Sequence, residues 1–569
     1  MSLISRAALL GCILVFAACT PLGLSTRPGA ASQYDVIIEN GRVIDGTGAA
    51  WYYGDVALRG DRIAAIGRPG TFRAARATTR VDATGHVVSP GFIDIQAQSY
   101  ENFMVGDGRA LSMVTQGITT AILGEGSTPA PVNDRILALE TDSATRALVS
   151  GFDGVHGFRD WLEYMVLRGA SQNIGSFIGN GTVRVYGKGG AMGPASAAEL
   201  DTMRAVVRNA MEDGAFGIAS ALIYPPNTYA STEELIEVNR AAAPYGGVYI
   251  THMRSEGDKF LEAMDEALRI GREAGVPVEI YHLKASGVRN WAKMDRAIAK
   301  IDSARAAGQD VQADMYLYPA GGNSFASCIP PKYAADGKLL ENLRDPALRA
   351  TIVAEMHATD AGYENLCEIA TPPNVMVMGF KRPEYRQFEG KRLSEISATL
   401  GKDWAEVIID LNVAENAGLG EILFLMSESN IEQQLRQQWM KFGTDAGSQD
   451  PATAVGLTHP RAYGNFTRLM GHYVRERRVI PIEDAVRKAS SAVAARLSLA
   501  DRGLLRAGFK ADVIIFDPNT IIDHATFERP HQLSTGVRDV FVNGVAVLRN
   551  NAHTGAKPGA VVRGPGYKP

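Results

Sequence analysis

Gly247-Val248-Tyr249-Ile250-Thr251-His252 is an apolar run rich in β-formers that closes on a histidine, and Val278-Glu279-Ile280-Tyr281-His282 repeats the pattern so that the two histidines stand thirty residues apart. Between the two runs Phe260, Met264 and Leu268 recur every four residues, the spacing of one helix face. A strand followed by a helix in about thirty residues is a parallel βα unit. Working outward, runs of the same kind lie at 118–123, 176–180, 216–223, 311–318 and 442–445, and Pro90-Gly91-Phe92-Ile93-Asp94-Ile95-Gln96-Ala97-Gln98 opens the series. Residues 291–307 carry a further helical stripe. Eight such strands predict an α/β fold, a (β/α)8 TIM-like barrel. The interval of about 321–438 is too long for a loop and holds its own helical patterns and the run Ile422-Leu423-Phe424-Leu425-Met426, so it is expected to be an inserted helical subdomain before the last barrel strand.

Both ends of the chain have a different texture. Residues 34–89 and 501–569 read as short strands punctuated by Asn-Gly, Asp-Gly and Gly-Asp turns. They are expected to combine into one β-sandwich, with 90–500 as the barrel between them. Arg6 precedes an apolar run from 7 to 18 that ends in small residues and Cys19, a secretory signal too short to span a membrane. Phe16-Ala17-Ala18-Cys19 resembles a bacterial lipobox, so residues 1–18 are expected to be removed, Cys19 to carry lipid, and 19–33 to form a tether. Cleavage without lipidation would instead leave a soluble periplasmic protein. The expected location is the periplasm or, through the lipid, the outer membrane.

The 569 residues carry a formal charge of −4 and no long Lys/Arg run, which excludes an electrostatic footprint for nucleic acid. Hydrophobic residues make up 46%, enough for a large core. Beyond the leader only Cys328 and Cys367 remain; in an oxidising compartment they either pair or sit as two buried thiols.

Functional groups of such barrels stand at the carboxyl ends of the strands. His252 and His282 end consecutive strands, which places two imidazoles side by side as a metal pair. Gly124-Glu125-Gly126 follows the strand at 118–123 and brings a carboxylate to the same mouth, completing a two-histidine, one-carboxylate set with room for water. Glu125 as a helix-capping loop acid is the plainer alternative. Asp445, in Gly443-Thr444-Asp445-Ala446-Gly447, is the candidate proton carrier. Lys284 shares the side of His282, and Arg461 offers a planar fork for a substrate carboxylate. Gln96 and Gln98, two apart on a strand, have the geometry of a chelate but weak ligand atoms.

These stretches together resemble the amidohydrolase superfamily and, within it, the N-acyl-D-amino-acid deacylase (D-aminoacylase) family, from about 34 to 564. The resemblance is carried by Asn40-Gly41-Arg42-Val43-Ile44-Asp45-Gly46-Thr47-Gly48, Pro90-Gly91-Phe92-Ile93-Asp94, Thr115-Gln116-Gly117-Ile118-Thr119-Thr120, Thr251-His252-Met253-Arg254-Ser255-Glu256, Tyr281-His282-Leu283-Lys284, Ala313-Asp314-Met315-Tyr316, Gly443-Thr444-Asp445 and His459-Pro460-Arg461-Ala462-Tyr463-Gly464. It implies zinc-dependent amide hydrolysis, metal histidines at His252 and His282, a catalytic acid/base at Asp445, and substrate binding by Lys284, Tyr316 and Arg461.

Two departures stand out. The family's His-x-His is Gln96-Ala97-Gln98 here, and its Asn-Cys-Gly is replaced near Glu125-Gly126-Ser127. The expectation is therefore one zinc ion on Glu125, His252 and His282, with Gln96 and Gln98 lining the place of a second ion and bonding substrate or water. The expected substrate is an N-acyl amino acid, D-type favoured, or a small peptide. A metal-free binding protein and a dipeptidase or cyclic-amide hydrolase are the alternatives. Oligomeric state is not legible.

Overall fold

The computed structural model describes residues 33–359 and 362–569. The leader, Cys19 and all but the last residue of the tether lie outside the described residues. Among the described residues no helix is long and apolar enough to cross a membrane.

The centre is built of parallel strands taken in chain order: β1 Phe92–Asp94, β2 Ile118–Leu123, β3 Asn173–Ser176 continued by Ile178–Gly179, β4 Gly217–Ala221, β5 Val248–His252, β6 Val278–Ile280, β7 Val311–Met315 and β8 Met440–Phe442. The first part of β3 pairs with β2, which pairs with β1; the second part of β3 begins a six-stranded sheet that runs through β4 to β8. The two sheets are bonded at both edges. Phe177 N donates to Leu123 O and Phe216 N to Ser176 O. On the other side Ala97 and Ala446 form a parallel bridge, and Asp445 N donates to Gln96 O at 2.8 Å.

The expected third strand at 176–180 is shifted: it starts at Asn173, breaks at Phe177, and Asn180 already belongs to the helix Asn180–Lys188. Residue 179 must be glycine, because Ser127 passes so close that a Cβ would stand 2.4 Å from its Cα. β1 and β8 are also shorter than expected, so Gln96, Gln98 and Asp445 sit in the turns beyond the strands.

Side-chain parity places the site. Val248 and Ile250 belong to a buried cluster with Ile93, Ile122, Phe177 and Phe216, and His252 is the next residue of the same parity, at the strand's carboxyl end. Burial of each large apolar side chain contributes about 1.5–3 kcal/mol, which makes this register costly to shift.

The two chain ends do share a β-structure, hydrogen-bonded as one nine-stranded sheet. Val87–Pro90 is the joint: it lies parallel to Tyr34–Val43 and antiparallel to Val513–Phe516. Val36, Ile38, Leu58, Val88, Val513, Ile515 and Phe541 form its common core. From Pro90 the chain passes after one residue into β1, which ties this sheet to the site.

The interval of about 321–438 has structure of its own, as expected, including the helices Pro346–His357, Leu393–Leu400 and Trp404–Ala414. It also holds a three-stranded antiparallel sheet of Gly321–Ser324, Gly420–Leu423 and Val375–Met378. Cys328 and Cys367 are joined in a disulfide there, with Cα atoms 5.5 Å apart, which settles the choice that composition left open.

Candidate active site

Glu125 stands just past β2 between Gly124 (φ +116°) and Gly126 (φ +68°). A Cβ on Gly124 would come within 2.3 Å of Phe177 O, so only glycine lets the loop turn there. The turn delivers the carboxylate to the two strand-end histidines. Glu125 Oε1 lies 3.2 Å from His282 Nε2 and 3.4 Å from His252 Nδ1. The imidazoles meet edge to face, centroids 4.5 Å apart and planes at 84°.

The other oxygen is occupied differently from expectation. Gln96 Nε2 and Gln98 Nε2 both donate to Glu125 Oε2, at 2.6 and 2.8 Å. Gln96 is buried and does not line the cavity, so its expected contact with substrate is not what the structure shows; Gln98 reaches the cavity wall with its amide turned to Glu125. The physical reason is that two amide donors and one buried carboxylate satisfy one another, and burial without such partners is expensive.

His282 is held from behind. Its Nδ1 lies 2.9 Å from Glu256 Oε1 and 2.6 Å from Lys284 Nζ, and Lys284 donates to Glu256 Oε1 at 2.6 Å. His282 has φ +33°, and its N–H donates to Asp314 Oδ1 at 2.9 Å, which holds that left-handed backbone in place. Glu256 and Asp314 were given no role by the sequence reading. The signal available for Glu256 was an acid four residues past a strand-end histidine; for Asp314, an acid between apolar Ala313 and Met315 near the end of a strand.

Asp445 also has a left-handed backbone, φ +47°. Arg461, first residue of the helix Arg461–Arg468, places Nη1 2.9 Å from Asp445 Oδ2, and its guanidinium lies 4.5 Å from the Tyr316 ring centroid. Tyr316 Oη, Arg461 Nε and Nη1, and His252 Nε2 are buried without an aligned hydrogen-bond partner. The cavity measures about 440 Å³, and eight of the nine residues chosen from sequence line it, all but Gln96.

The electrostatics follow from this packing. Burial opposes the charge on Glu125, yet hydrogen bonds from His252 and His282 hold its carboxyl well below the ordinary range. Burial pushes His252 down. Burial and Lys284 both oppose a proton on His282, but Glu256 and Glu125 outweigh them and hold it up at about 10. Glu256 stays ionised because Lys284 and the two imidazoles outweigh its burial. Asp445 is raised to about 6, chiefly by burial, with Arg461 pulling the other way.

One ligand atom each from Glu125, His252 and His282 can be chosen so that all lie within 4.8 Å of one another. Zinc with bonds of about 2.0–2.1 Å needs tetrahedral ligands roughly 3.3 Å apart. The two spacings at Glu125 Oε1, 3.2 and 3.4 Å, bracket that value, so the donor set fits such an ion. Glu256 against the far nitrogen of His282 is the carboxylate–histidine backing that metal sites use.

A strand-end cluster of two histidines and a carboxylate, with an acid and an arginine across one cavity, supplies the groups that hold a metal ion and move a proton beside it. Residues 437–548 match the model of the amidohydrolase family. The chain is 33% identical over 535 residues to a D-aminoacylase from Alcaligenes xylosoxydans xylosoxydans, covering 94% of this chain and 98% of that one. It belongs to the D-aminoacylase family of amidohydrolases. A solved D-aminoacylase, described for its binuclear metal centre, superposes with a TM-score of 0.75 at 32% identity, covering 93% of this chain and all of that one. An N-acyl-D-glutamate deacylase from Bordetella bronchiseptica, solved with zinc and a phosphonate mimic of the tetrahedral intermediate, gives 0.75 at 29%, covering 93% and 99%.

Proposed function

We propose that this chain hydrolyses the linear amide of an N-acyl amino acid, D-type favoured, using one zinc ion held by Glu125, His252 and His282 at the mouth of a (β/α)8 barrel that spans about 90–500. The observation that carries the reading is the convergence of Glu125 Oε1 on both imidazoles at 3.2 and 3.4 Å. When bound, zinc supplies Lewis acidity to a carbonyl and lowers the pKa of water. The chain's own groups do the rest. Asp445 takes a proton from the attacking water and returns it to the leaving amine nitrogen. Arg461 Nε and Tyr316 Oη, buried without a hydrogen-bond partner, meet the carboxylate of the substrate. Lys284, expected from the resemblance to bind substrate, has its Nζ engaged by Glu256 and His282 and instead keeps His282 oriented from behind.

The chain is read as an extracytoplasmic protein anchored through lipid on Cys19. The short apolar leader and the pairing of Cys328 with Cys367 support this. Fractionation of cells carrying a Cys19→Ser variant tests it: a variant that still sediments with membranes overturns the anchor.

The test of the activity is a panel of N-acyl D- and L-amino acids and dipeptides, assayed before and after chelation and zinc return. Hydrolysis of N-acyl-D-amino acids that chelation abolishes and zinc restores is expected. Turnover that survives exhaustive chelation, or activity confined to dipeptides or cyclic amides, overturns the reading.

A further inference from the structure

We propose that Gln96 and Gln98 are positioning residues that make Glu125 a one-oxygen ligand and limit the centre to a single ion. The inference rests on the zinc-hydrolase reading above and adds to it a cause for the ion count. Both amide nitrogens donate to Glu125 Oε2, at 2.6 and 2.8 Å, while Oε1 alone faces the imidazoles. A carboxylate whose second oxygen already accepts two N–H bonds has no lone pair left in those directions for bridging to another cation. The donors also stop the carboxylate from rotating about its last bond, so Oε1 is delivered ready for coordination.

The glutamine at 96 is itself held on three sides. Its N–H donates to Asp94 Oδ1 at 3.1 Å, its carbonyl accepts from Asp445 N–H at 2.8 Å, and Gly443 packs so closely that a side chain there would meet Gln96 Cβ at 2.5 Å. Gln96 Oε1 is buried without a partner. An amide whose acceptor end is unsatisfied is kept for its donor end, and that donor is on Glu125. The two other acids of the cavity are engaged elsewhere: Asp445 faces Arg461, and Glu256 accepts from Lys284 Nζ and backs His282 Nδ1. No second unengaged carboxylate therefore stands beside Glu125 among the described residues lining the cavity.

The experiment is zinc titration of chelator-stripped protein, read by elemental analysis after gel filtration, by competition with a chromophoric chelator, and by the visible spectrum of the cobalt(II) form. For the wild type, one ion per chain is expected, unchanged in excess zinc. Gln96→Leu/Gln98→Leu, which keeps bulk and removes both donors, is expected to bind zinc about 10- to 100-fold more weakly and to shift the cobalt bands. Gln98→Leu alone, at the cavity wall, is expected to lose several-fold and serves if the double variant does not fold. Wild-type affinity and an unchanged cobalt spectrum in a folded variant overturn the proposal, as does tight uptake of a second ion by the wild type. Wild-type protein that takes up no zinc instead overturns the hydrolase reading on which the proposal rests.

Discussion

Arg461 Nη1 stands 2.9 Å from Asp445 Oδ2 while the same guanidinium covers the face of Tyr316 at 4.5 Å. The arginine thus touches the group that is to carry the proton and keeps its Nε–H without a partner beside the same cavity. Positioned acid–base groups contribute about 10²–10⁴-fold to rate. Asp445→Asn is expected to lower kcat by that factor with zinc content unchanged, because Asp445 is not among the three converging ligands. Metal analysis beside steady-state kinetics checks it, and loss of zinc from the variant counts against the assignment.

The pH profile should report the same pair. Burial raises Asp445 to about 6, with Arg461 acting in the opposite sense. A base must be ionised, so kcat/KM is expected to fall about tenfold per unit of pH below that value. Arg461→Met removes the cation that favours ionisation, so the acid limb should move to higher pH and KM for carboxylate substrates should rise. An acid limb that stays in place would show that another group titrates.

Lys284 and Glu256 are both buried and 2.6 Å apart. Removing one member of such a pair leaves an uncompensated buried charge and costs about 3–5 kcal/mol. Lys284→Met is expected to destabilise on that scale, and Lys284→Met/Glu256→Gln to recover much of it. Thermal unfolding of the double-mutant cycle measures the coupling, and simple additivity would refute it.

Glu421 is buried beside the Cys328–Cys367 disulfide with Ser327 Oγ donating to it at 3.1 Å, and burial raises it from 4.5 to about 8. The folded state therefore holds a proton that the unfolded chain releases. Its contribution to stability is whole below about 4.5 and is lost as pH rises through about 8. Glu421→Gln should flatten that decline, which unfolding midpoints between pH 5 and 9 on the order of a unit apart will show.

The repeat of apolar run and histidine at 252 and 282 determined that parallel strands carry the site, because side-chain parity and strand ends are local properties. Motif order along the chain determined the family, and the glycines around Glu125 marked a loop with special backbone. The tertiary structure alone decided which atoms meet. Glu125 takes both glutamine amides on one oxygen and both imidazoles on the other, Glu256 and Asp314 hold His282 from two sides, and Cys328 finds Cys367. None of these is local. They depend on the register between strands far apart in the chain and on left-handed turns at His282 and Asp445, whose cost is met only by hydrogen bonds from neighbouring elements.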